Sequence, residues 1–285
     1  MTTPKNNPPK YVDGHLAELS ERVHLSGQTD LFMHLGHWHS LDGAVSLADL
    51  RQAQKRTNDH LIQLADIEDG QVILDVGCGF GGTIAALDVY ASQLQLVGLN
   101  IDPRQLDVAR SNVVSRRRNS IEWVHADACE LPFPDNVFER VFAIECIFHF
   151  ASRKRFLAEA ARVLLPMGKL IVTDLVASDT LSQLRRELPT GLEKALEHAL
   201  SPCPHFWTGE GSYSEMAAAA GLSIVTKQDA TLATLPTYAC ILRGKTVDFA
   251  SENEPINDRG VAALAWLQMR GLIRVEYNLF QKIKA

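Results

Sequence analysis

Short apolar runs that alternate with helical patterns restrict the fold of this chain more than any other feature. The run Val72–Val76 (VILDV) is followed by a glycine cluster and by a helical pattern over Gly82–Tyr90. Four more runs repeat this arrangement: Leu94–Leu99, Ile121–His125, Arg140–Ile144 and Lys169–Thr173. Strands that are apolar throughout are buried on both faces, so the pattern predicts parallel strands with helices on each side. We expect an α/β, doubly wound, Rossmann-like sheet.

Two apolar runs near the end of the chain complete this expected sheet. Leu222–Lys227 and Leu272–Gln281 read as strands, with a helical pattern over Asp258–Arg270 between them. Strands in this position are expected to pair antiparallel at a sheet edge. The sequence therefore predicts seven strands, mostly parallel, with an antiparallel last strand.

The rest of the chain divides into segments outside this alternation. Residues 1–10 are polar and proline-rich, and we expect a disordered tail there. Residues 11–57 are expected to form a helical N-terminal cap, and 58–285 the main domain. Within that domain, residues 178–211 carry leucines at helical spacing before two prolines. They are predicted to form a helical lid insertion over a site.

Composition and charge exclude several classes of function. The net charge of −6 provides no basic footprint for nucleic acid. Apolar runs such as Val141–Ile144 are too short to span a bilayer, so no membrane partner is expected. The five cysteines form no CxxC pair, which favours a reducing cytoplasm over a disulfide framework. His34, His37 and His39 match no zinc module, and we expect no metal. Oligomeric state stays open, with a homodimer possible.

A glycine loop follows the first expected strand. In Asp75-Val-Gly-Cys-Gly-Phe-Gly-Gly82, the glycines satisfy the GxGxxG pattern of dinucleotide sites. However, the carboxylate of Asp75 would repel a pyrophosphate, and Asn100 stands where nicotinamide enzymes usually place an acid. A carboxylate suits a cationic ligand such as S-adenosylmethionine (SAM), which carries a sulfonium and an ammonium group. An NAD-dependent dehydrogenase is kept as a remote alternative.

Polar residues follow each of the first five expected strands, where open α/β sheets bind their ligands. They are Asp75, Asn100, Asp127, Glu145 with His149, and Asp174.

Several longer stretches resemble one enzyme family. They are VILDVGCGFGGT at 72–83, GLNIDPRQL at 98–106, HADACELPFPDNVFERV at 125–141, ECIFHF at 145–150, FLAEAARVLLPMGKLIVTD at 156–174 and MHLGHW at 33–38. Together they resemble class I SAM-dependent methyltransferases of the small-molecule group, which includes macrolide and sugar O-methyltransferases and tocopherol- and sterol-type enzymes. The resemblance implies SAM as cofactor and S-adenosylhomocysteine as its product.

The resemblance also implies roles for individual residues. Gly77 and Gly79 would let the backbone approach the methionine part of SAM, with Asp75 near its ammonium group. Asn100, where Asp or Glu is commoner, would hold the ribose hydroxyls. The remaining expected cofactor contacts are Ile101 on the adenine ring, Gln105, Asp127 with its neighbour Ala128, Glu145 and His34. For Asp127, a turn cap is the alternative role.

The chemistry expected at the site is methyl transfer to a hydroxyl group. His149 is the expected general base, because histidine titrates near neutral pH, and Asp174 is its expected partner. Glu145 is the other candidate base. The acceptor is expected to be a bulky, partly apolar secondary metabolite, with Phe206 and Trp207 as aromatic surface for it. The alternatives are C-methylation of a prenyl- or sterol-like alkene, N-methylation of an amine, and a non-catalytic SAM-binding module.

Overall fold

The computed structural model describes residues 11–26, 31–39, 46–189, 191–200 and 210–283. The expected tail and part of the expected lid, including Phe206 and Trp207, lie outside these residues. The strands are β1 Val72–Val76, β2 Gln95–Asn100, β3 Ser120–His125, β4 Phe138–Ile144, β5 Leu164–Ala177, β6 Leu222–Asp229 and β7 Ile273–Lys282. The helices are α1 Tyr11–Ser26, α2 Leu47–Ala65, α3 Gly82–Tyr90, α4 Pro103–Asn112, α5 Arg153–Val163, α6 Asp179–Leu184, α7 Leu192–Leu200, α8 Glu210–Ala219, α9 Thr231–Thr234, α10 Pro236–Ile241 and α11 Ile256–Met269.

Within the described residues the strands form one seven-stranded sheet in the order β3-β2-β1-β4-β5-β7-β6. Strands β1 to β5 pair in parallel, and β7 runs antiparallel to both of its neighbours. The doubly wound sheet with an antiparallel last strand is therefore confirmed. The order reverses at β1 and β4, which is where sheets of this kind form a ligand crevice.

Helices cover both faces of the sheet and create two apolar cores. Successive residues of β1 alternate between them: Ile73 belongs to the core that includes residues of α2, α3 and α11, and Leu74 to the core that includes residues of α5 and α8. Both residues are fully buried, which explains why the strands are apolar throughout. None of the helices in the described ranges is both long and apolar enough to cross a bilayer.

Three boundaries differ from those expected. Helix α2 continues from Leu47 to Ala65, so the expected division at residues 57 and 58 falls inside a helix. Strand β5 spans Leu164–Ala177, so it begins before and ends after the expected run Lys169–Thr173, and Met167 within it has φ +67°. The leucine-rich segment after β5 is divided between α6 and α7 instead of forming one helix.

Candidate active site

A cavity of about 1260 Å³ opens at the carboxyl ends of the parallel strands. Side chains from β1, β2 and β4 form its floor, and α1, α7, α10 and α11 contribute walls. Every residue expected to bind the cofactor lines this cavity, as does His149: His34, Asp75, Gly77, Gly79, Asn100, Ile101, Gln105, Asp127, Ala128, Glu145 and His149. The fold thus brings together residues that lie far apart in the sequence.

The glycine loop between β1 and α3 passes close under this cavity. The amides of Gly77 and Cys78 both donate to the carbonyl of Leu99, at 2.8 and 3.0 Å, which joins the loop to β2. Gly77 has φ +69°, and a Cβ there would lie 2.6 Å from the Cβ of Cys146. Gly79 has φ +53°, and among the described residues, apart from its two chain neighbours, no atom lies within 4 Å of the position that a Cβ would take. A ligand can therefore approach the backbone at Gly79 directly.

Asp75 places a buried carboxyl group in the cavity floor. Its side chain is 2% exposed, and Oδ2 accepts no hydrogen bond within the described residues. Burial raises the pKa of Asp75 to about 8. An unpaired buried carboxylate is costly, and a cationic group in the cavity would remove that cost. The site therefore fits a ligand with a positive charge at this position.

Asn100 and Gln105 meet at the start of α4. The amide of Asn100 donates to the side-chain oxygen of Gln105 at 2.9 Å, and its own oxygen accepts from the amide of Ile101 at 2.7 Å. Asp102 caps the helix by accepting from Arg104 N at 2.9 Å, and Pro103 occupies its first turn. These bonds hold Asn100, Ile101 and Gln105 together at the cavity wall.

Asp127 has both of the features considered for it. Its Oδ1 accepts from the amide of Cys129 at 2.8 Å, which makes the residue a turn cap. The side chain also lines the cavity. One carboxylate oxygen therefore stabilises the local turn, and the residue remains available as a wall of the cavity.

Glu145 contributes its side chain as well as its backbone. The residue follows β4 with φ +48°, and its amide donates to the carbonyl and the hydroxyl of Thr173 at 3.0 and 2.9 Å. Both carboxylate oxygens accept from the amide of Leu35 at 3.0 Å. Burial raises the pKa of Glu145 to about 8, the Leu35 amide opposes this, and the charge of Asp174 adds to the increase. A second carboxyl group with raised pKa thus lies in the cavity.

His149 ends a short 3-10 turn and lies deep in the cavity wall. Its Nδ1 is 2.9 Å from the carbonyl oxygen of Leu200, which can only accept, so Nδ1 carries the proton. The neutral ring then has its lone pair on Nε2. Burial lowers the pKa of His149 to about 3, so the ring is neutral at physiological pH.

The expected pair between His149 and Asp174 is wrong. Asp174 is fully buried, accepts from Arg153 Nε at 2.9 Å and is not part of the cavity wall. Side chains alternate along β5, so Asp174 points toward the face that α5 covers, while its neighbour Leu175 lines the cavity. Arg153, which the sequence analysis did not single out, neutralises this carboxylate.

Residues 31–39, which we call the strap, cross the cavity beside the glycine loop. Phe32 packs on Gly82, where a Cβ would lie 2.5 Å from its ring. His34 is held by the carbonyl of Leu35 at 2.9 Å and by Asn58 at 2.6 Å, so its ring has a structural role besides lining the cavity. The motif MHLGHW indicated this segment, but nothing in it indicated its partners.

One end of the cavity was largely missed by sequence reasoning. It is lined by His15, Leu200, Tyr238, Ile241, Val261 and Leu264. These residues come from α1, α7, α10 and α11, and no local pattern links them. Among the residues that the structure describes, no three His, Cys, Asp or Glu side chains are grouped as metal ligands.

Several known proteins are similar in sequence to this chain. Residues 74–172 match the family described as "Methyltransferase domain". The chain is 31% identical over 255 residues to Methyltransferase GfsG of Streptomyces halstedii, and the aligned region covers 87% of this chain and 85% of that protein. It is 30% identical over 166 residues to 27-O-demethylrifamycin SV methyltransferase of Amycolatopsis mediterranei (strain S699), covering 58% and 56% of the two chains.

The fold is also similar to that of a solved structure. Geranyl diphosphate C-methyltransferase from Streptomyces coelicolor A3(2), in complex with Mg2+, geranyl-S-thiolodiphosphate and S-adenosyl-L-homocysteine, matches with a TM-score of 0.71. The sequence identity is 15%, and the match covers 98% of this chain and 100% of that one.

Proposed function

Because the chain belongs to the class I SAM-dependent methyltransferases, we propose that it methylates a hydroxyl group of a bulky, partly apolar natural product, with His149 as general base. The same proposal assigns the reaction to the cytoplasm. The observation that carries it is a neutral histidine in the wall of the cavity, with its ring held through Nδ1.

The residues at the cofactor end fit SAM. When bound, SAM supplies a methyl group on a positively charged sulfur, which is an excellent leaving group. Asp75 would ionise and pair with the ammonium group, since its buried Oδ2 accepts no hydrogen bond from the described residues. Asn100 and Gln105 would hold the ribose, Ile101 the adenine ring, and Asp127 the adenine amino group, as the family resemblance implies. The open backbone at Gly79 leaves room for the methionine part.

Burial keeps His149 unprotonated at physiological pH, but a pKa of about 3 makes it a weaker base than the near-neutral histidine expected from the sequence. A protonated imidazole beside a sulfonium would be repelled, and burial keeps this ring neutral. As a hydroxyl oxygen forms its bond to the methyl carbon, its proton becomes strongly acidic. A weakly basic imidazole can then accept that proton at Nε2 while Leu200 holds Nδ1. Glu145, whose pKa burial raises to about 8, would lie on the cofactor side of the same cavity.

The size and lining of the cavity support a bulky acceptor. Ligand pockets usually measure about 300–1,000 Å³, and this cavity of about 1260 Å³ has room for a cofactor and an acceptor together. Leu200, Val261 and Leu264 give its outer part an apolar wall, and Tyr238 adds an aromatic surface.

C-methylation of a prenyl- or sterol-like alkene is the second candidate. It would need groups that stabilise a carbocation, and the ring of Phe148 and the carboxyl group of Glu145 both line the cavity. In that reaction Glu145 would remove the proton in place of His149. The two candidates therefore differ in which of these side chains turnover requires.

Transfer of a radiolabelled methyl group from SAM into hydroxyl, alkene and amine acceptors tests the proposal. With a hydroxyl acceptor, we expect His149→Ala to lower kcat by about 10²–10⁴-fold and to leave SAM affinity nearly unchanged. His60→Ala is the matched control, because His60 bonds to Gln228 at 2.6 Å outside the cavity wall. Unchanged turnover in His149→Ala would exclude His149 as the base. Labelling of alkenes alone would favour the second candidate.

A further inference from the structure

The strap makes four consecutive backbone bonds to four different parts of the fold. Its amides donate in order: Leu35 to the Glu145 carboxylate (3.0 Å), Gly36 to the Thr237 hydroxyl (3.0 Å), His37 to the Ala53 carbonyl (3.0 Å) and Trp38 to the Ala233 carbonyl (2.8 Å). The strap therefore connects the end of β4 with α10, α2 and α9. A shift at any one of these contacts displaces the neighbouring amides.

Thr237 is the partner that holds the strap twice. Its hydroxyl oxygen accepts from the amide of Gly36 and, at 2.9 Å, from the indole N–H of Trp38. The threonine is fully buried, so water cannot replace it as an acceptor. Losing this hydroxyl would leave two buried donors without partners. Thr237 also lies on α10, next to Tyr238 in the wall for the acceptor.

We propose that Thr237 is a positioning residue that fixes the strap so that the amide of Leu35 holds the Glu145 carboxylate in the cavity. This inference rests on the proposed SAM site. Leu35 and Gly36 are adjacent, so the bond that anchors one amide to Thr237 also sets the direction of the other toward Glu145. The hydroxyl of Thr237 thereby connects the acceptor wall at α10 to the cofactor end of the cavity.

Two substitutions separate this role from simple packing. Thr237→Val keeps the shape of the side chain and removes the hydroxyl, whereas Thr237→Ser keeps the hydroxyl and removes a methyl group. We expect Thr237→Val to raise the Kd for SAM about tenfold and Thr237→Ser to stay within twofold of the wild type, by calorimetry on the full chain. The proposal would be overturned if Thr237→Ser bound SAM as weakly as Thr237→Val, or if Thr237→Val bound SAM as tightly as the wild type.

A double-mutant cycle tests the path through Glu145. In a Glu145→Gln background, we expect Thr237→Val to change the SAM affinity by less than threefold, because the carboxylate that it positions is gone. A full tenfold effect in that background would overturn the proposed path. Thr234→Val is the matched control, because Thr234 is equally buried and its hydroxyl bonds to Ala230 and Gln268 instead of the strap.

Two further measurements cover the remaining outcomes. If Thr237→Val does not fold, Trp38→Phe serves in its place, because it removes one of the two donors to the Thr237 hydroxyl. We expect Trp38→Phe to bind SAM about threefold more weakly than the wild type and Thr237→Ser to bind SAM normally. Wild-type affinity in Trp38→Phe would overturn the proposal. A wild-type chain that binds SAM but methylates no hydroxyl would contradict the proposed acceptor and leave the test of Thr237 intact. A wild-type chain that binds no SAM would overturn both.

Discussion

Replacing Asp75 by asparagine keeps the shape of a buried side chain and removes its ability to ionise. In the folded chain, burial raises the pKa of Asp75 from 3.8 to about 8. The unfolded chain has the ordinary value, so between these two pH values the folded chain retains a proton that the unfolded chain has released. The free energy of unfolding of the wild type therefore decreases as the pH rises through this window.

The expected size of this effect follows from the raised pKa. One pKa unit corresponds to about 1.4 kcal/mol, and about 2.5 units separate pH 5.5 from the pKa of the folded chain. The carboxyl group of Asp75 thus lowers the wild-type stability by about 3 kcal/mol between pH 5.5 and pH 9. The free energy of unfolding of Asp75→Asn lacks this dependence on pH. Its stability relative to the wild type should therefore increase by about that amount between pH 5.5 and pH 9.

Cofactor binding should change in the opposite direction. Asparagine cannot supply the charge-assisted bond proposed for the SAM ammonium group, and such bonds contribute about 1.5–3 kcal/mol. We therefore expect SAM affinity to fall by about 10- to 100-fold. Urea unfolding without SAM at pH 5.5, 7 and 9, together with calorimetric titration of SAM, measures both effects. A stability difference that does not vary with pH would refute the unpaired buried carboxylate, and unchanged SAM affinity would refute its role.

Three further predictions follow from other contacts. At saturating SAM and acceptor, protonation of His149 should not lower kcat between pH 8 and pH 5.5, because the pKa of His149 is about 3. A pH–rate profile in which kcat falls by half near pH 6.5 would contradict a neutral buried ring. Gly36→Ala would place a Cβ 2.5 Å from the Cβ of Ala53. We therefore expect the free energy of unfolding in urea to fall by about 1–3 kcal/mol and SAM binding to weaken. Wild-type values for both would show that the strap tolerates the displacement. Arg153→Met removes the ion-pair partner of the buried carboxylate of Asp174, so we expect the free energy of unfolding to fall by about 3–5 kcal/mol in the same assay. Adding Asp174→Leu should restore much of that stability. If stability did not recover, the ion pair would not be the cause of the loss.

The sheet could be predicted from the sequence because its strands are short and apolar throughout. Runs such as Val72–Val76 can be buried on both faces only in a sheet that helices cover on both sides, and the family motifs then indicate the topology. Asp75, Asn100, Asp127 and Glu145 follow from the same reasoning, since the ends of parallel strands meet at one edge, and the family resemblance implies the other cofactor residues. All of those expected from the sequence line the cavity.

The same apolar strands explain why Asp174 was assigned to the wrong place. A strand with alternating polar and apolar residues reveals which side chains share a face, but the segment Leu170–Val172 is buried on both faces. Its sequence therefore does not show toward which face Asp174 points, and the strand continues past the expected end at Thr173 to Ala177. Arg153 lies at the start of another helix, and nothing near it in the sequence indicates the ion pair.

The contacts of the strap could not be predicted for a different reason. Leu35 and Glu145 are 110 residues apart, and Gly36 and Thr237 are 201 residues apart. Each contact joins one backbone amide to one side chain, which leaves no periodic pattern in the sequence. Contacts of this kind can be read only when the fold has placed their elements side by side.

These long separations also have a consequence for how the protein folds. The strap is made early on the ribosome, but its acceptor at Thr237 emerges 201 residues after Gly36. Contacts between distant parts of a chain form slowly, because closing a long loop costs entropy before the contact stabilises it. The sheet up to β5 can therefore assemble while the strap still lacks its bonds to Thr237 and Ala233. The ability to hold SAM tightly should appear late in folding, after most of the secondary structure has formed.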